Sequence, residues 1–548
     1  MARSSLRVAV VVGAASAALL IAMVPASAAI STTADETASI AATHRGVAPV
    51  VHSAPAAGGV PSDRDRAARR VPPVSTAGRG KGQGPAALPE PTAATRPLLT
   101  NIDAVSSRDS RNTNFNHEFE PPDPALCVGN GFVLEAVNSA YSIYSTAGAH
   151  LRGPFNVNDL FNEGAAEFTT DPRCYYEAST HTWYATILFI NAANTASRVD
   201  VAVNTSGDPR NSWTQYQFDT SDDGRLGEPS HPGCPCLGDQ PLFGIDQQNV
   251  YLSTNEFPLV GAGFNSAQLY AVSKRDLQAA QPAHFVHFDN LSVGGTQAAS
   301  VQPAVSSGNP GAEFFLSSLD PHGTFDNRLG VWAMTHRDAV ASGGSPVLSR
   351  VVVTSEPYGR PPMAQQKGST SLIDAGDDRM MQAQFTGGTL WGALGTTITI
   401  PNDPVERAGA AWFAVHPILT GDTITGAVMA RQGYVASRGQ SLLYPALQAD
   451  AAGRAAMVFT SVGASTFPSA AYAALDARQV AFGPITVAAV GQTAYDAKAT
   501  RWGDYSAAVL DPAARAVWMA TEYTPPLASQ TPDRRRNWGT RVFQVSLS

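Results

Sequence analysis

The residues of this chain with the most chemical potential recur at the openings and closings of a repeated phrase. Asp123, Asp171, Asp239, Arg379, Tyr444, Asp504 and Tyr505 stand at the openings, and Asn138, Asn255, Glu256, Glu522 and Tyr523 at the closings. If each phrase is two antiparallel strands, both sets fall at the same edge of their units and face one mouth. Three chemistries fit such a set. Each Asp can accept backbone hydrogen bonds and fix an entry turn, which is a purely structural role. Converging carboxylates can hold a hard cation, with Ca2+ the expected ion and Asp123 and Asp171 the expected ligands. Two carboxyl groups about 5 to 10 Å apart can work as acid and base at a glycosidic bond. In that last case Asp239 or Glu522 is the expected general acid, Asp504 a further carboxylate, and Tyr505 or Tyr523 a group that orients or attacks substrate. Arg379 then holds an anionic or hydroxyl-rich group from across the ring, with Asn255 and Glu256 lining the same rim.

The elements that must place these residues follow from the phrase itself. It comprises a polar opener, four to six apolar or small residues, a turn, and an alternating apolar run ending on a polar or aromatic residue. That is the grammar of a strand, a tight turn and a second strand. The clearest copy is Arg501-Trp502-Gly503-Asp504-Tyr505-Ser506 followed by AAVLDPAARAVWMATEY. Starts at 123, 171, 239, 302, 379, 444 and 504 lie roughly 50 to 75 residues apart, the spacing of four-stranded units repeated around an axis. Third strands are expected at VDVAVNT, QLYAVSK, LGVWAMT, AAWFAVH and AAYAALD, and fourth strands at VLSRVVVTS, ARQGYVAS and ITVAAVGQ. The copy at 302 is the weakest, because Gln302 replaces the acidic opener. The final copy is short, so residues near 99 to 106 are expected to supply its missing strand and close the ring. The sequence therefore predicts an all-β, seven-bladed β-propeller over residues 98–548.

The N-terminus reads as an export signal over residues 1–28: Arg3 and Arg7, an apolar stretch from Val8 to Val24, then Ala26-Ser27-Ala28. Residues 29–97 are rich in Ala, Pro, Gly, Ser and Thr and are expected to be a disordered linker, with RDRAARR at 64–70 its one basic cluster. No later run is long enough to span a membrane, so the mature protein is expected to be a secreted monomer. The formal net charge of −8 argues against nucleic acid as a partner. Four cysteines in an exported chain suggest two disulfides. Cys127 and Cys174 occupy matching registers and could pair, leaving Cys234 to Cys236; pairing Cys174 with Cys234 or Cys236 is the alternative. Zinc is disfavoured, since the histidines show no ligand spacing and the compartment is oxidising. No phosphate loop, dinucleotide fingerprint, nucleophile elbow or zincin motif occurs.

Between the third and fourth strands of the second unit lies Ser206-Gly207-Asp208-Pro209-Arg210-Asn211-Ser212-Trp213. It resembles the Asp-box of sialidase-like propellers, with Arg210 in place of Gly and Ser212 in place of Thr. The phrases PPDPALCVGNGFVLEAVN, CPCLGDQPLFGIDQQNVYLSTNEF and RWGDYS…TEY resemble a group of secreted bacterial propeller proteins of sialidase-like or related type, of unsettled activity. The resemblance covers most of 115 to 548 and implies export and the fold. The catalytic pattern of true sialidases is not reproduced, for there is no Phe-Arg-Ile-Pro opening and no assigned clamp of three arginines. A carbohydrate-directed protein is the expected function, as a glycoside hydrolase or lyase working at the tunnel mouth. The alternative is a non-catalytic module that binds a surface glycan or protein.

Overall fold

The computed structural model describes residues 39–51, 96–114, 119–164, 167–308, 310–319, 325–496, 501–530 and 536–548. Among them, 28 of the 34 strands form seven antiparallel meanders of four strands each. The inner strands are Ala125–Gly129, Phe168–Glu177, Cys236–Ile245, Gln302–Ser306, Met380–Thr386, Ser441–Ala449 and Ala507–Leu510. Each touches the next in chain order, and the seventh touches the first. The meander opened by Gln302 is present, so an acidic opener is not required for the unit to form.

Meanders stacked face to face bury their strands on both sides, which explains why many strands show no clean alternation. Every residue of Thr182–Ile190 and of Ala455–Gly463 is buried. Trp183, Trp332, Trp412 and Trp518 fill the spaces between sheets and are fully buried. Truncating any one of them to Ala is expected to cost about 3–5 kcal/mol.

The seventh meander is completed from the other end of the chain. Leu98–Ser106 pairs antiparallel with Gly539–Ser546, as the short final copy predicted. This strand runs into a short helix, Ser107–Thr113, whose first turn is closed by a reciprocal capping box between Ser106 and Asp109. The linker expectation is corrected in part. Within 29–97, His44–Ala48 pairs with Ala283–Phe288 of the third meander, and Val50–Val51 pairs with Thr214–Asp219 of the second. Composition hid this because an edge strand needs backbone groups more than large apolar side chains. Ala48 is buried, with Val50 packed beside the same core. The expected export signal over 1–28 and the linker residues 29–38 and 52–95 lie outside the described residues.

A second repeat appears only in the backbone. Asp123, Asp171, Gln240 and Tyr444 each have a positive φ, between 48° and 57°, and each precedes a proline, Asp123 just ahead of its inner strand and the other three in the first half of theirs. Proline excludes the ordinary helical conformation from the residue before it, and a left-handed backbone is uncommon for any residue with a Cβ. The sheet register slips at three of these sites, Thr170/Arg173, Asp239/Leu242 and Leu443/Ala446. Bulges of this kind re-aim side chains at a sheet rim. Both local disulfides are formed, Cys127–Cys174 between the first two inner strands and Cys234–Cys236. The Asp-box-like loop is a turn: Asp208 accepts from the Arg210 amide at 3.0 Å, and Trp213 donates to the Pro209 carbonyl at 3.0 Å.

Candidate functional site

Three opener carboxylates from three meanders come together, one of them, Asp171, at a bulge. Asp123, Asp171 and Asp504 each offer an oxygen within 4.8 Å of the others. Their scaffold is a set of hydrogen bonds across meanders. Asp123 accepts from the Asp504 amide at 2.6 Å and from the Asn138 side chain at 2.8 Å, and the Asn138 oxygen accepts from the Asp171 amide at 2.7 Å. Asp123 and Asp171 are buried, while the Asp504 side chain keeps 31% of its exposure.

Three arginines surround this cluster, each two or three residues from an acidic neighbour in sequence. Arg501 pairs with Asp504 at 2.5 Å. The Arg173 guanidinium stacks on the Tyr505 ring, 3.3 Å from its centroid. Arg379 forks onto Asp377, with contacts of 2.8 and 2.7 Å, and its third nitrogen donates to the Gln240 side chain of the third meander. Arg379 was expected across the ring from the carboxylates. It does come from the fifth meander, yet it reaches far enough to feel Asp504 and Asp239.

Loss of water dominates the protonation of the cluster. Burial, then repulsion from Asp504 and Asp171, pushes Asp123 well above the usual carboxylate range. Burial, then Asp239 and Asp504, raises Asp171 to about 7. Burial opposes the charges of Arg379 and Arg501, but Asp377 and Asp504 respectively outweigh it and hold both firmly protonated. Two buried acids that hold their protons and cations that keep theirs thus share one small volume. They can pass a proton, grip a hydroxyl-rich group, or enclose a cation.

The other expected site residues have definite places. Asp239 is half-buried and close enough to raise Asp171. Tyr505 is fully buried, its hydroxyl donating to the Pro172 carbonyl at 2.9 Å. Glu522 lies beneath the cluster, fully buried and raised to about 8 by that burial. One of its oxygens accepts from the Thr521 hydroxyl at 3.3 Å. Tyr523 donates to Asp103 of the closing strand. Asn255 exchanges hydrogen bonds of 2.9 and 2.8 Å with Ser300, the same service that Asn138 performs one meander pair earlier. Glu256 accepts from His231 at 2.9 Å and belongs to a separate buried group. Arg173 and Arg501 were not assigned from sequence. The signal was their spacing: Asp171-Pro172-Arg173, Arg501…Asp504 and Asp377…Arg379 repeat one acid–arginine pairing.

A cavity of about 190 Å³ lies between the inner strands, with Arg173 the one residue of the cluster's surround among its lining. Its walls are mostly apolar, with Gln302, Gln382, Gln384 and Gln448 among the polar residues that line it. Gln382 crosses it, donating to the Ala508 carbonyl at 2.7 Å.

No family model and no curated protein matches the chain. Solved structures that it resembles include Trypanosoma rangeli sialidase in complex with sialic acid, at 10% identity and a TM-score of 0.34, covering 77% of this chain and 60% of that one. The chain thus spans less than two thirds of that protein's length. Penicillium chrysogenum alpha-L-arabinanase complexed with arabinobiose gives 11% identity and a TM-score of 0.35, over 70% of this chain and all (100%) of that one. The parainfluenza virus 5 hemagglutinin-neuraminidase ectodomain gives 9% identity and a TM-score of 0.33, over 69% of this chain and 82% of that one. Among the described residues, no helix is long and apolar enough to cross a membrane.

Proposed function

We propose that the seven meanders are the blades of a closed propeller, and that the chain is a carbohydrate-directed protein working outside the cytoplasm. Two disulfides support the compartment. One observation carries the functional reading: Asp123, Asp171 and Asp504 converge from three meanders beside Arg173, Arg379 and Arg501, with Asp123 and Asp171 both raised by burial.

Glycoside hydrolysis is the reaction that such a site serves best. Asp171 carries a proton up to a pH of about 7 and is the general acid toward a glycosidic oxygen. Asp504 and Asp239, the more accessible carboxylates, face the sugar ring from the open side. The close spacing suits a carboxylate that attacks the ring rather than one that activates a distant water. Arg173 and Arg379 bind hydroxyl or carboxylate substituents. The test is Asp171→Asn and Asp504→Asn against a library of soluble polysaccharides, following reducing ends and binding separately. Retained binding with product formation reduced at least about a hundredfold supports catalysis; parent-level turnover in both variants defeats it.

The 4.8 Å limit on the three oxygens also favours a second reading, a Ca2+ shared by Asp123, Asp171 and Asp504 in a non-catalytic glycan-binding mouth. Binding that vanishes on chelation, with no product from any substrate, selects this reading over the first.

A further inference from the structure

A second group of chemical residues lies away from the mouth, in the third meander and the loop leading into it. His231 is buried, and its imidazole bridges two carboxylates: Nδ1 is 2.9 Å from Glu256, and Nε2 is 2.9 Å from Asp289. Asp222 lies within 4.0 Å of the same ring. Beside it is the Cys234–Cys236 disulfide, with Cys234 Sγ 3.6 Å from a Glu256 oxygen. His231, Cys234 and Glu256 present one nitrogen, one sulfur and one oxygen within 4.8 Å of one another. The Asn265 amide touches the whole group, donating to Glu256 at 2.8 Å and lying 3.5 Å from Cys236 Sγ.

We propose that the Cys234–Cys236 disulfide masks a zinc site: reduction by a dithiol frees two thiolates beside His231 and Glu256, and these four side chains then bind one Zn2+. The ligand types are those of tetrahedral zinc. The sequence His231-Pro232-Gly233-Cys234-Pro235-Cys236 places three of the ligands within six residues, a spacing that a search for paired histidines overlooks. While the sulfurs are bonded to each other, neither can ligate a metal. Asp289 completes the design, because it holds the Nε2 side of the imidazole and leaves Nδ1 to the metal.

The redox step balances. Cys234 is half-buried beside exposed Pro232 and Gly233, whereas Cys236 is buried, so a thiolate of the dithiol attacks Cys234 Sγ and Cys236 leaves as thiolate. The second thiol of the reagent then attacks its own sulfur in the mixed disulfide, closing a cyclic disulfide and releasing Cys234. Two electrons and two protons pass from the dithiol to the protein. Zinc then displaces the protons of the two thiols and of the imidazole.

The full chain is reduced with dithiothreitol under nitrogen, desalted and titrated with ZnCl2 by calorimetry, with free thiols mapped by mass spectrometry. Expected are thiols at 234 and 236, one zinc per reduced chain, and affinity about a hundredfold above that of the oxidised chain. Asp289→Asn is expected to weaken zinc about 10- to 100-fold in the reduced protein, and the double variant Cys234→Ser, Cys236→Ser to bind no better than the oxidised parent. The proposal is overturned if the disulfide resists the dithiol, if the reduced chain takes up no zinc, or if oxidised or double-serine protein binds it equally well. The comparison of oxidised with reduced parent decides the matter even where a variant fails to fold.

Discussion

Asp171 illustrates how one side chain's environment becomes a property of the protein. It binds its proton more tightly in the folded chain than in the unfolded one, with burial the main cause. Between the ordinary carboxylate value of 3.8 and about 7 the folded state therefore carries more of this proton, and stability falls as pH rises across that window. Asp171→Asn is expected to remove this contribution, raising the melting temperature near pH 7.5 by a few degrees and flattening the slope between pH 4 and 7. Calorimetry of parent and variant across pH checks it, and an unchanged slope counts against a protonated Asp171. Gly503 tests the packing beneath the cluster. A Cβ there meets a Glu522 oxygen at 2.8 Å, so Gly503→Ala is expected to cost about 1–3 kcal/mol in urea unfolding. The opener acids were legible from sequence because polar residues at the head of apolar strands are conspicuous. Arg173 and Arg501 were not, since a pairing two or three residues long becomes meaningful only when several meanders bring their pairs to one place.

At the level of the strand, the meanders were legible where turn and apolar run alternate, and the third and fourth strands fell where the repeats of VDVAVNT and VLSRVVVTS indicated. The closing strand was legible through a deficit, a final copy with one strand too few. The edge strands at His44–Ala48 and Val50–Val51 were not, because backbone pairing leaves little trace in composition. Their presence changes what truncation does. Removing residues up to 97 uncovers the outer edges of the second and third meanders, and is expected to lower the melting temperature by several degrees. Removing residues up to 110 also deletes the partner of Gly539–Ser546 and is expected to prevent cooperative folding. Circular dichroism melts of the two truncations check the order, and equal stability of both contradicts the role of the closing strand.

For the molecule as a whole, a ligand bound at the proposed mouth would couple to stability. If Asp123, Asp171 and Asp504 hold Ca2+, saturating ion at about a hundred times its dissociation constant adds roughly 2.7 kcal/mol. A melting temperature that falls with chelator and returns with Ca2+, but not in Asp123→Asn, is the expected signature. A melting curve indifferent to both reagents leaves the cluster as a proton-sharing site. The zinc site proposed in the third meander forms only after a dithiol reduces Cys234–Cys236, so measurements on the unreduced chain report the mouth alone.

Closure by the two ends of the chain also sets a timetable. The closing strand is among the first described segments to be synthesised, yet its partner is nearly the last, and Thr540 reaches the Val105 carbonyl at 2.9 Å across 435 residues. At about 5–20 residues per second, a ribosome needs roughly 20 to 90 s to cover that interval. Throughout it, Leu98–Ser106 lacks its partner, and the seventh meander waits for Gly539–Ser546 to complete its sheet.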